Sequence, residues 1–275
     1  MKIAILGASG HVGKNLTCLF ANSNQVAAFS RNPPYTSYTY LNRFDFDVII
    51  NCVGFGNPEE IKNAGIELFS VTETYDNMVL EYLEKHPYTK YIFISSGVAH
   101  NKVDINHLNF YQISKINAEA KHRALPGYDI VDIRLYSFFS RYIDLNSKFF
   151  MSEIVKCIRN KTEFTTNSTS IVRDYINPKD LYSLINICIS KDFINDAFDI
   201  YSLQEIEKFM ILDYFWIEYN LKVKIKEDYK GFSSAGADSY FLKDSSLKDK
   251  TAKLGYSPKY SSLDTIMEES KYLLF

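Results

Sequence analysis

The stretch KIAILGASGHVG, residues 2–13, constrains this chain more than any other. A short apolar run passes straight into Gly7, Gly10 and Gly13, spaced G-x-x-G-x-x-G, and KNLTCLF continues with the spacing of an amphipathic helix. A buried strand, a tight turn and a helix that starts within the glycines form the opening of a βαβ unit. Glycine lets the backbone turn sharply and come close to a pyrophosphate. The helix N-terminus then offers unpaired N–H groups and a partial positive charge. A glycine motif can also be a merely structural turn, but this one sits at the first strand–helix corner, where dinucleotide binding requires it.

The pattern then repeats. QVAAFS (25–30), FDVIINCVG (46–54), KYIFISS (90–96) and YDIVDIRLY (128–136) read as strands. VTETYDNMVLEYLEKH (71–86) and FYQISKINAEAKHRAL (110–125) read as helices, stopped by Pro87 and by Pro126-Gly127. Alternating strands and helices, with strands apolar enough for burial on both faces, predict an α/β fold: a doubly wound parallel sheet with helices on both faces. After about residue 137 the pattern changes. SKFFMSEIVKCIRN looks helical, TTNSTSIVRDYI irregularly extended, and PKDLYSLINICI helical with proline in its first turn. AFDIYS looks like a strand returning to the sheet, and the tail from 245 reads as helix, glycine stop, turn and helix. Residues 1–137 are therefore expected to form the dinucleotide-binding domain, with 173–202 returning to it. Residues 138–172 and 203–275 are expected to form a smaller interleaved C-terminal lobe.

Composition removes several functions. The formal net charge is −2, which gives no basic footprint for nucleic acid. No apolar run reaches the length of a membrane span, and the N-terminus reads as a strand and not as a signal peptide. Cys18, Cys52, Cys157 and Cys188 are scattered, as expected of reduced, buried residues in a cytoplasmic protein. The five histidines form no metal-ligand spacing, so no metal site is expected.

Two places carry candidate chemistry. Beyond the second strand stand Ser30 and Arg31, where an acidic residue would select the ribose 2′-hydroxyl of NAD. A guanidinium pairs instead with a 2′-phosphate, so NADP(H) is favoured over NAD(H), although Arg31 could be an ordinary surface arginine. Tyr111 and Lys115 lie four residues apart, on one helix face. A nearby ammonium would lower a phenol's pKa and make it a general acid for a carbonyl under reduction. Such a pair alone is usually just helix surface. Here it follows a strand that ends in Ser95-Ser96, at the sheet edge where ligands bind.

The chain resembles the extended short-chain dehydrogenase/reductase family, the nucleotide-sugar epimerases, dehydratases and reductases. The matching pieces are GASGHVG, DVIINCVG, FISSGVAH, YQISKINAEA, IRLYSF, VRDYINPKDL and LGYSPKYSSLDTI, in family order through nearly the whole chain. The resemblance implies a Rossmann fold whose smaller lobe binds the substrate. It implies cofactor contacts at Gly7, Gly10, His11, Val12, Gly13 and Gly54. It also implies Ser96 on the substrate oxygen, Tyr111 as proton donor, Lys115 on the nicotinamide ribose, and Arg173 on the substrate diphosphate. An internal ion pair with Asp174 or Asp180 is the other reading of Arg173. Ser137 stands in place of the family's asparagine as a substrate contact. A homodimer through the helices of YDNMVLEYL and Tyr111 is likewise implied.

Family members that react at a second carbon carry an acid or a cysteine directly after the catalytic hydroxyl residue; Gly97 stands there. That leaves ketone reduction or 4-epimerisation. Arg31 and the short chain lean toward an NADPH-dependent reductase of a nucleotide-diphosphate 4-keto-6-deoxy sugar, with an NAD-dependent 4-epimerase as the alternative. Asp45 is offered as the adenine contact. His100 is read as a loop-surface residue or, less simply, a substrate contact.

Overall fold

The strands carry apolar side chains in both registers, so a sheet made from them must be covered on both faces. A computed structural model describes residues 1–100, 105–227, 229 and 240–275. The elements run β1 (Lys2–Leu6), α1 (His11–Phe20), β2 (Gln25–Phe29), β3 (Val48–Asn51), α2 (Pro58–Ala64), α3 (Glu67–Lys85), β4 (Lys90–Ser96), α4 (Phe110–Arg123) and β5 (Ile130–Leu135). They continue with β6 (Ser137–Phe138), α5 (Phe150–Asn160), β7 (Glu163–Thr166), β8 (Val172–Arg173), β9 (Tyr175–Ile176), α6 (Pro178–Ile189) and β10 (Asn195–Asp199). The last are β11 (Ile206–Glu207), α7 (Lys208–Tyr219), β12 (Lys222–Ile225), α8 (Ser245–Lys253) and α9 (Ser262–Leu274).

Six strands form one parallel sheet in the order β10-β5-β4-β3-β1-β2. The two-residue period of a strand sorts its side chains between two cores. Ile3, Ile5, Val48, Ile50, Ile92, Ile94, Val131 and Ile133 pack under α1 and α6 with Leu16, Phe20, Leu181 and Leu184. Ala4, Leu6, Ile49, Tyr91, Phe93 and Ile130 face the other way, against Val79, Tyr82 and Leu83 of α3 and Ala118 of α4. Strand order reverses at β1, whose neighbours β2 and β3 are reached in opposite directions, and this opens a crevice at the strands' carboxyl ends.

A third core joins Phe139, Met151, Ile154, Phe164, Ile211, Phe215, Ile266 and Leu273, from the segments that contribute no strand to the sheet. The tail divides between cores. α9 belongs to this third core, whereas Leu254 and Tyr256, just beyond α8, pack with the sheet. Thr251 of α8 donates to Asp199 O at 2.9 Å, and Lys250 meets Asp196 at 2.6 Å. Residues 245–256 thus lie against β10, within the stretch 203–275 that the sequence assigns to the smaller lobe.

One buried polar cluster crosses the second core. The His122 ring, 0% exposed, places Nε2 2.8 Å from Asp76 Oδ1 and Nδ1 2.6 Å from Asp132 Oδ1. Both neighbours are carboxylates, so both nitrogens donate and the ring is an imidazolium. Lys121 reaches Asp76 at 2.5 Å and Arg123 reaches Asp132 at 3.0 Å, so the two carboxylates are shared among three cations. Burial opposes the ring's charge, but hydrogen bonds and charges from Asp132 and Asp76 outweigh it and raise the pKa from 6.5 to about 9. A group with a higher pKa folded than unfolded contributes fully below the unfolded value, and that contribution is lost as pH rises through the folded one. Urea denaturation should therefore show stability falling from pH 6.5 to beyond pH 9, with about 3 kcal/mol coming from this ring. His122→Gln should lack that component; a fall of the same size in the variant would show that the ring is not its source.

Candidate active site

The glycine corner is built from backbone contact. Gly7 has φ +75°, a conformation that side chains rarely adopt. A Cβ on Gly13 would lie 2.1 Å from Gly7 O, so the helix can start against the turn only without one. α1 begins with Gly10 at its N-cap, and no side chain caps its first turn. The corner keeps open N–H donors and a cradle that side chains would fill, which fits a pyrophosphate. Tyr38, from a short 3₁₀ turn over Tyr38–Arg43, accepts a hydrogen bond from Gly7 N at 3.2 Å and tilts against Tyr75. Nothing in the sequence singled out Tyr38; its site contact joins residues 31 positions apart.

A cavity of about 430 Å³ runs from this corner toward the third core. Its lining includes Gly10, His11, Val12, Gly54, Ser137, Arg173 and Tyr240. Ser96, Tyr111 and Lys115 lie along it, brought together by the end of β4 and the first turns of α4. The start of α4 is fixed by a reciprocal cap: Gln112 N donates to the Asn109 side chain at 2.9 Å, and Asn109 N donates to Gln112 at 3.1 Å.

The Ser96 hydroxyl lies beside the Tyr111 phenol, and both line the cavity. Burial raises the Tyr111 phenol above its ordinary pKa, and the neighbouring Ser96 hydroxyl only partly offsets it. This differs from the lowered phenol that the Tyr–Lys spacing predicts. The reason is geometric: the Lys115 ammonium turns to the sheet, donating to Ile94 O at 3.1 Å and lying 4.6 Å from the centre of the Phe93 ring. Burial brings Lys115 down to about 8, against the opposing pull of Glu119 and the more distant acids Asp76 and Asp132. Its Nζ lies 3.5 Å from where a Cβ on Gly54 would stand, so the turn after β3 closes on the lysine.

A second phenol completes the cluster. Tyr240 OH lies 2.9 Å from Ser96 Oγ, and its ring is tilted 5.2 Å from that of Tyr136. Tyr136 in turn donates to Asp199 at 2.8 Å and covers Gly97, where a Cβ would come 2.4 Å from the ring. Neither tyrosine was selected as a site residue. Tyr240 is 144 positions from Ser96, beyond the reach of any spacing argument.

The remaining expected residues fall as follows. Arg173 is buried and lines the cavity, with Nη1 donating to Val172 O at 3.1 Å. Asp174 instead accepts from Ser202 N, and Asp180 from the backbone of Lys259 and Tyr260. Ser30 is buried, its Oγ 2.6 Å from that of Ser9 on the glycine loop, while Arg31 is exposed just beyond β2. Asp45 is not at the site. It precedes β3, at the opposite edge of the sheet, and meets His86 Nε2 at 3.1 Å. His100 is half-buried and accepts from Arg134 Nη1 at 3.2 Å. Among the described residues no helix is long and apolar enough to cross a membrane.

The fold recurs in solved structures over nearly the whole length of both chains. UDP-glucuronic acid 4-epimerase from Bacillus cereus, in complex with UDP-glucuronic acid and NAD, superposes with a TM-score of 0.80 at 15% identity, over 99% of each chain. RMD from Pseudomonas aeruginosa, complexed with NADPH, gives 0.77 at 17% identity, over 99% of this chain and 98% of that one. UDP-glucose 4-epimerase from Thermotoga maritima, with UDP-glucose, gives 0.80 at 15%, with the same coverage as RMD. No curated protein matches in sequence. The model of the NAD dependent epimerase/dehydratase family matches residues 3–202, most of the chain and all six strands of the sheet. With its glycine corner and its Ser96–Tyr111–Lys115 edge, the chain belongs to the NAD-dependent epimerase/dehydratase family.

Proposed function

We propose that the protein is an NADPH-dependent reductase of a nucleotide-diphosphate 4-keto-6-deoxy sugar. The observation that carries this reading is the hydroxyl pair of Tyr111 and Ser96, set beside Lys115 in a cavity that joins the glycine corner to Arg173. The adjacent position supports plain reduction. Tyr136 lies over Gly97, so no side chain at that position can serve a second carbon of the sugar.

In the bound complex the substrate's C4 oxygen takes the place of the Tyr240 phenol on Ser96. Ser96 and Tyr111 donate to that oxygen and stabilise the negative charge as it develops. A reduced nicotinamide, when bound, supplies the hydride to C4. Tyr111 passes its proton to the oxygen, and its raised pKa keeps that proton in place until the charge appears. Lys115, close to its pKa near neutral pH, turns from Ile94 O toward the ribose and the phenol. Arg173 grips the substrate diphosphate, Ser137 lies beside it, and Arg31 holds the 2′-phosphate of the cofactor, since a guanidinium matches phosphate geometry.

Tyr111→Phe should lower turnover of a 4-keto sugar about 10²- to 10⁴-fold while NADPH still binds; full activity in the variant would end the assignment. Arg31→Ala should weaken NADPH about tenfold and leave NADH nearly unchanged, read by fluorescence titration. Equal losses for both would remove the case for NADPH. An NAD-dependent 4-epimerase would instead retain NAD through purification and interconvert sugars with no net cofactor consumption. Assembly as a homodimer through α3 and α4 belongs to the same reading, and light scattering at the mass of a single chain would exclude it.

A further inference from the structure

His11 opens α1 and lines the cavity beside Gly10 and Val12. Its ring Nε2 lies 2.9 Å from Ser140 Oγ. The protons of this pair can be assigned by counting. Asn15 Nδ2 lies 2.8 Å from His11 O and 2.7 Å from Ser140 Oγ. A carbonyl only accepts, so that atom is the amide nitrogen, and its second hydrogen goes to Ser140. Tyr142 N–H also donates to Ser140 Oγ, at 3.2 Å. A hydroxyl oxygen has two lone pairs, and both are now taken. The Ser140 hydrogen must therefore point at His11 Nε2, which makes Nε2 the acceptor and places the ring proton on Nδ1.

That Nδ1–H has no hydrogen-bond partner among the described residues. The ring itself is fixed, by Ser140 on one side and by edge contact with Phe138, its centroid 4.9 Å away. Burial, helped by the Lys14 charge, pushes the imidazole down to about 3, so the ring stays neutral and keeps one donor and one acceptor. The donor belongs to the first residue of an uncapped helix, next to the glycines that a pyrophosphate would rest on.

We propose that the His11 Nδ1–H donates a hydrogen bond to the diphosphate of the bound dinucleotide, with Ser140 holding the ring in the tautomer that can do so. This rests on the reading of the glycine corner as a dinucleotide site. It adds a side-chain donor to the backbone donors of the helix. It also ties that donor to Ser140, buried on the segment that follows β6, and through Ser140 to Asn15 of the same helix.

Two substitutions separate this role from a merely structural one. Asparagine places its amide nitrogen close to where Nδ1 stands, whereas glutamine reaches the position of Nε2. Calorimetric titration of the full chain with NADPH and with NADH should find His11→Asn within about threefold of the natural protein. His11→Gln should be weaker by about tenfold or more, the usual effect of losing a hydrogen bond to a charged group. Melting temperatures report whether each variant is folded. The reverse order, with glutamine tolerated and asparagine weakened, would mean that the ring only latches Ser140 and would overturn the proposal. Unchanged affinity in both variants would overturn it too. A natural protein that binds neither dinucleotide would remove the cofactor reading itself, a result visible before any variant is made.

Discussion

The fold depends on a charge placed where no water can reach it. The His122 imidazolium lies between Asp76 and Asp132 and so joins α3, α4 and β5 at one point. Removing one partner of such a cluster leaves an uncompensated buried charge, which costs about 3–5 kcal/mol. The cluster also reaches the site. Tyr91 donates to Asp76 at 3.0 Å, Asn51 Nδ2 donates to Tyr91 OH at 2.9 Å, and Val53 N donates to Asn51 Oδ1 at 2.9 Å. The turn that closes on Lys115 is thus tied to the charged core through buried hydrogen bonds. Asp76 and Asp132 also help to keep the lysine charged despite its burial.

The Ser96–Tyr111 edge of the cavity has the opposite character. Tyr111, Ser96 and Tyr240 are neutral hydroxyl groups in a desolvated corner, and burial raises both phenols. In the proposed reaction, a proton held firmly until charge appears suits an acid that must act only when an alkoxide forms. The helix spacing correctly brought the phenol and the ammonium to one face, but spacing does not say which acceptor a long side chain will choose. Lys115 finds a buried carbonyl in its own sheet.

Much of this was legible in the sequence, and the omissions have physical causes. The six parallel strands could be read because their apolar residues occupy both registers within short runs. The third run, expected over 46–54, shortens to Val48–Asn51, because the Asn51 side chain takes the Val53 N–H and turns the chain into the cavity. α7 escaped because apolar residues surround it: Ile211, Leu212 and Phe215 are buried while Met210, Trp216 and Ile217 are exposed, and no face stands out. α2 buries nothing and leaves no periodic trace. In the site, Ser96, Tyr111 and Lys115 were legible from local spacing and order. Tyr240, Tyr136 and Tyr38 were not, since each arrives by tertiary packing.

On the proposed reading, Gly97 confines the reaction by shape as well as by chemistry. Its missing side chain is not an empty place awaiting an acid, because the Tyr136 ring fills it and is anchored by Asp199. Evolution or an engineer that wished to add chemistry at a neighbouring carbon could not do so with one codon. The tyrosine must shrink or swing aside before residue 97 can grow, and Asp199 is then left with Arg134 as its side-chain donor. A side chain at position 97 thus requires changes at Gly97, Tyr136 and the Asp199 anchor together.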